Sequence, residues 1–151
     1  TVDSRMQRYA EEAVHEHMTD LQARFFKEKK NKSYAPFSRQ MTKEEINGVM
    51  TRSMKQSERY RLLKREGKSE EEIRQIFEPP IEMQVFSYDG MIDTTLPPMD
   101  SIRWQKYFLR CGFMSMDPHT GYVKAYVGGP DFAHFQYDMV SIGRRQVGST
   151  V

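Results

Sequence analysis

The stretch Gly112-Phe113-Met114-Ser115-Met116-Asp117-Pro118-His119-Thr120-Gly121-Tyr122-Val123-Lys124-Ala125-Tyr126-Val127-Gly128-Gly129 decides the fold class. Its two apolar runs, 113–116 and 122–127, flank the link Asp117-Pro118-His119-Thr120-Gly121. Proline fixes φ for a turn, and Gly121 takes the left-handed position without a Cβ penalty, so the spacing predicts a β-hairpin. Gly128-Gly129-Pro130 ends its second strand. Most of the chain before it follows helical periods, and that combination predicts an α+β fold.

Upstream of the hairpin, Pro97-Pro98 precedes a helix over about 99–110, with Ile102, Trp104, Tyr107 and Phe108 as its apolar members. Gly112 suits the position just past its end. Residues 81–88 alternate, with Ile81, Met83 and Val85 on one face, and read as a strand. Asp89-Gly90 is a tight-turn signal, and 91–95 pair back. Two capping boxes lie further upstream, Thr42-Lys43-Glu44-Glu45 and Ser69-Glu70-Glu71-Glu72, each opening a helix. The first helix carries Ile46, Val49, Met50 and Met54 on one side and is expected to run on to a stop at Gly67. Gly48 weakens it by about 1 kcal/mol relative to alanine. The second is short, and Pro79-Pro80 ends it. At the start of the chain Asp3 caps a helix running to about Phe25, since Met6, Ala10, Ala13, Val14, His17, Met18, Leu21 and Phe25 recur at helical spacing. Residues 27–33 are basic and polar, and read as an exposed loop.

Composition bounds the function classes. A chain of 151 residues, 29% charged and 38% hydrophobic, suits one folded unit of ordinary size. The net charge of +2 is too small to argue for nucleic acid. It is unevenly spread, +6 over residues 22–78 and −4 elsewhere. The single cysteine, Cys111, excludes an internal disulfide and a cysteine zinc site. No stretch is long and apolar enough to span a bilayer, and no signal peptide is evident.

Two blocks carry a family resemblance. The first is Thr1-Val2-Asp3-Ser4-Arg5-Met6-Gln7 with Ala10-Glu11-Glu12-Ala13-Val14. The second is the hairpin, then Val127-Gly128-Gly129-Pro130-Asp131-Phe132, then Arg145-Gln146-Val147-Gly148-Ser149. In this order they resemble the start of the transpeptidase domain of class A penicillin-binding proteins, the bifunctional peptidoglycan glycosyltransferase/transpeptidases. That family reads Thr-Ile-Asp-x-x-Leu-Gln…Ala-x-x-Ala-Val in the first block and Val-Gly-Gly-x-Asp-Phe…Arg-Gln-x-Gly-Ser in the second. Gln136-Tyr137-Asp138-Met139-Val140 departs from the usual Phe-Asn-Arg-Ala element.

The resemblance implies a partial transpeptidase domain: a first helix in 1–25, and the first β-hairpin with the start of the active-site helix in 111–151. Residues 26–110 form a mostly helical insertion with one hairpin. It implies Ser149 as the catalytic nucleophile, placed at a helix N-terminus where free N–H groups favour negative charge. Ser149 would form an acyl-serine with a peptidoglycan stem peptide and pass the acyl group to a neighbouring amine, and β-lactams would acylate the same oxygen. The family lysine of Gly-Ser-x-x-Lys would fall one residue beyond Val151. The expectation is therefore a fragment that is itself inactive, from a parent anchored upstream on the periplasmic side of the inner membrane. The parent would also use lipid II as glycosyltransferase substrate.

No cofactor or metal is expected. His15, His17, His119 and His134 lack metal spacing, and Asp89, Asp93 and Asp100 are too widely spaced for a calcium loop. The run Lys27-Glu28-Lys29-Lys30-Asn31-Lys32 reads as a solvated loop, with anionic lipid, nucleic acid or anionic polymer as its alternative contacts. Phe132, Phe135 and Tyr137 either line a site wall or pack. The rival function is an interaction module, in which the insertion docks an envelope protein partner. No nucleic acid is expected. With strand 113–116 left as an open edge, the isolated chain is expected to self-associate.

Overall fold

The structure, a computed structural model, describes residues 2–144. It is α+β: five helices and two small antiparallel sheets. In order these are α1 (Ser4–Lys29), α2 (Lys43–Gln56), α3 (Glu58–Arg65), α4 (Glu70–Phe77), β1 (Ile81–Val85), β2 (Ile92–Leu96), α5 (Pro98–Tyr107), β3 (Phe113–Met116) and β4 (Val123–Val127). The chain forms two compact units. One holds the chain through Phe25 and again from Leu109 on; the other is Phe26–Phe108.

In the Phe26–Phe108 unit, both capping boxes form. Thr42 and Ser69 each accept from the backbone N–H three residues on, while Glu45 and Glu72 accept from the cap N–H groups. The helix expected to run from 43 to Gly67 is broken at Ser57, where the chain is extended. Ser57 ends α2 by donating its N–H to Met54 O and opens α3 by accepting from Tyr60 N–H. Gly67, at φ 83°, closes α3 as expected. Met50, Met54, Tyr60, Ile73, Phe77 and Ile102 form the core from α2, α3, α4 and α5, with Phe37, Ile46, Leu63 and Met99 packed against it. Beside Tyr60, the Glu70 carboxylate accepts a hydrogen bond from the Tyr60 hydroxyl and meets Lys55 and Lys64 at 3.3 and 3.4 Å.

Strand β1 pairs with β2 from Ile81↔Leu96 to Val85↔Ile92, around a turn in which Gly90 has φ 118°. β1 stops at Val85, short of the expected 88. Phe86 and Tyr88 leave the ladder and are buried among rings. Phe108 is the centre of this aromatic group, edge-on to Phe26, Phe86 and Trp104 at 5.8, 5.1 and 5.4 Å. The Trp104 indole donates to Phe86 O at 2.8 Å. Helix α5 ends at Tyr107 rather than 110, because Phe108 turns extended to reach that group.

In the other unit, Ala10 of α1 packs on Ala125 and Val127 of β4, with Val14 alongside. The hairpin β3–β4 runs in register from Phe113↔Val127, with an irregularity after Ser115. Asp117 Oδ1 accepts from His119 and Thr120 N–H, and Gly121 has φ 70°. Helix α1 runs to Lys29, four residues past the expected end. Lys27 and Lys29 lie in its last turn, where cations offset the negative end of the helix dipole.

Candidate functional site

Helix α1 and the turn after β4 both fasten to strand β4. Asp3 caps α1 with its carboxylate, accepting from Arg5 and Met6 N–H at 2.9 and 3.1 Å, while its own N–H donates to Lys124 O. One turn on, the Gln7 side chain meets the backbone of Tyr126 with both ends of its amide. Oε1 accepts from Tyr126 N–H at 2.8 Å and Nε2 donates to Tyr126 O at 2.9 Å. A strand neighbour would make the same two bonds, so Gln7 satisfies β4 where, among the described residues, no strand lies beside it.

Beyond β4 the chain turns on Asp138. Its Oδ1 accepts from Val140 and Ser141 N–H at 2.8 and 3.1 Å. Its Oδ2 accepts from the Ser141 and Tyr126 hydroxyls, each at 2.5 Å. The Ser141 hydroxyl first, then that of Tyr126, holds the Asp138 carboxyl far below the usual carboxylate range. In turn the carboxylate pushes the Tyr126 phenol up. Met139 N–H donates to Gly128 O at 2.7 Å, which fastens the turn to the end of β4. Two glycines make this approach possible. A Cβ on Gly112 would lie 2.7 Å from Val140 Cγ2, and one on Gly143 would lie 2.4 Å from Met139 O.

Asp131 organises the segment between them. Its Oδ1 accepts from His134 N–H and meets His134 Nδ1 at 2.8 Å. A carboxylate can only accept, so Nδ1 carries the proton. Partial burial pushes the Asp131 carboxyl up, but the His134 side-chain and backbone hydrogen bonds together outweigh it, and the net direction is down. The three aromatic residues of this segment separate. Phe135 is buried, with the Arg110 guanidinium 4.7 Å over its ring. Tyr137 donates its hydroxyl to Ile142 O. Phe132 is 80% exposed. Burial pushes the Cys111 thiol up, so it stays protonated at neutral pH.

Ser149 and the preceding Arg145-Gln146-Val147-Gly148 lie outside the described residues. Asp138 and Gln22 were missed by sequence reasoning. The signal for Asp138 was Ser141 three residues on, the spacing at which an aspartate bonds the turn that follows it. Gln22 is buried and accepts from Leu109 N–H at 2.9 Å, and no local pattern marks such a contact. Among the described residues, no three His, Cys, Asp or Glu side chains converge as metal ligands, and no helix is long and apolar enough to cross a membrane.

The family model described as the penicillin-binding protein middle domain matches residues 32–109 of this chain. No curated protein and no solved structure matches it.

Proposed function

This chain belongs to the penicillin-binding protein family through its middle domain, and from that premise we propose that it comes from a class A, bifunctional peptidoglycan synthase. In this reading α1 and the β3–β4 hairpin open the transpeptidase domain, and Ser149 is its nucleophile. The observation that carries the reading is the Gln7–Tyr126 pair. Residues on the two sides of the matched segment, 119 positions apart, are joined by two hydrogen bonds within one compact unit. A domain interrupted by another would be built this way.

The chemistry would be acyl transfer. Ser149 Oγ attacks the carbonyl of the penultimate D-Ala of a stem peptide, and its proton goes to a neighbouring base. The tetrahedral intermediate collapses to an acyl-serine as the terminal D-Ala leaves with a proton on its amine. An amine of an adjacent strand then attacks the ester, and the serine regains its proton. The role of the described residues is positional. Asp138 and the Gly128 carbonyl set the turn from which the chain goes on to Ser149, and Gln7 fixes the strand beneath that turn. The protein would work on the periplasmic side of the inner membrane. The test is labelling of the full-length parent with a fluorescent penicillin. The wild type should label covalently and Ser149→Ala should not; equal labelling of both would overturn the assignment.

A further inference from the structure

The end of α1 and the turn after it form, with α5, a cavity that the proposed acyl transfer leaves unused. Phe26, Lys29, Lys30, Asn31, Lys32, Ser33, Trp104 and Tyr107 line about 550 Å³ within the Phe26–Phe108 unit. We propose that this cavity binds an acidic saccharide chain, an uncross-linked glycan strand whose sugar carboxylates meet the lysines.

The lysines are held by an ordered turn. Lys32 N–H donates to Lys29 O and Ala35 N–H to Lys32 O, while Asn31 takes the left-handed region at φ 64°, which asparagine tolerates. Glu28 pairs with Lys29 at 2.8 Å; Lys30 and Lys32 beside it carry like charges, which repel. The helix dipole accounts for Lys27 and Lys29, which lie in the last turn of α1; Lys30 and Lys32 lie past it. Neither of these two side chains makes an ion pair among the described residues, and both are exposed.

The opposite wall sets the rest of the ligand. Trp104 has its one N–H donated to Phe86 O, and its ring is stacked on Phe26 at 5.4 Å and 16°. What Trp104 offers the cavity is therefore carbon surface. A pyranose fits both walls: its C–H face lies on an aromatic ring while a carboxylate on the sugar reaches an ammonium. A phosphate headgroup would satisfy only the lysines, and the half-buried Trp104 does not protrude as an anchor that enters a lipid surface. The saccharide class rests on the cavity; the choice of a cell-wall glycan rests on the function proposed above.

Trp104 is the sole tryptophan of the chain, so its emission reports on this cavity alone. The 151-residue chain is titrated with strands of alternating N-acetylglucosamine and N-acetylmuramic acid, stripped of stem peptides so that the lactyl carboxylates are free. The expected result is a saturable change in Trp104 emission, weakened by salt. The K30E/K32E variant should bind about tenfold more weakly, a loss of one decade in Kd. Because both side chains are exposed, that variant keeps the wild-type melting curve. Uncharged N-acetylglucosamine oligomers of equal length should be similarly weak, and phosphatidylglycerol vesicles should leave the emission unchanged. No response to the acidic strands, an equal response to the uncharged oligomer, or an equal response to vesicles would each overturn the proposal. Penicillin labelling of the parent separates the two readings. Lost glycan binding with intact labelling removes only this site, and lost labelling with intact binding removes only the transpeptidase reading.

Discussion

Asp138 accepts from two hydroxyls and two backbone N–H groups, so its carboxylate form is the one the folded turn selects. Its carboxyl is held below the ordinary value, which fixes the sign of the pH effect. Its stabilisation is complete above the unfolded value of about 3.9 and is lost as pH falls through the lower native one. Melting temperature should drop as pH is lowered below about 4, and Asp138→Asn should flatten that drop while lowering the melting temperature at pH 7. An unchanged acid profile in the variant would place the dependence elsewhere. Gln7 gives a second residue-scale prediction. Gln7→Ala leaves the Tyr126 N–H and C=O without their partner, at a cost of about 1–3 kcal/mol for each group left buried. Gln7→Glu keeps the acceptor but loses the donor, so denaturant melts should rank it between wild type and alanine.

At the scale of elements, what was legible followed local chemistry. The capping boxes at Thr42 and Ser69, the turns at Gly90 and Gly121 and the stop at Gly67 each rest on a residue type with a fixed backbone consequence, and all formed. The break between α2 and α3 was not legible, because apolar spacing continues through it. Ser57 can serve a helix end, a helix start or a helix interior, and only packing of Tyr60 into the core selects the first two together. The ends of β1 and α5 were overrun for a related reason. Phe86, Tyr88 and Phe108 have the residue types of a strand and a helix, but burial in one aromatic group draws them out of both. Thr42→Ala and Ser69→Ala should each cost about 1 kcal/mol. Gly48 has nothing within 4 Å of an added Cβ, so Gly48→Ala should stabilise α2 by about 1 kcal/mol. Thermal melts of the three variants check both signs.

For the molecule as a whole, the proposed site rests on an order of motifs that ends in Ser149, outside the described residues. The Gln7 and Asp138 contacts that support it join residues far apart or in irregular chain, where no period exists to read. The same organisation leaves one exposed edge. Among the described residues β3 pairs only with β4, and Phe113, Met114 and Met116 are 44%, 42% and 48% exposed. Such an edge is a template for pairing, so the 151-residue chain should self-associate at high concentration, and Met114→Lys should reduce this. A strict monomer by sedimentation, with fast-exchanging amides over Phe113–Met116, would contradict it. The proposed role of Ser149 is tested by peptide mapping by mass spectrometry of the full-length parent after exposure to a β-lactam. A single covalent adduct is expected on the peptide containing Gly148-Ser149, absent from Ser149→Ala. An adduct on any other residue, or the same adduct mass persisting in the alanine variant, would contradict it.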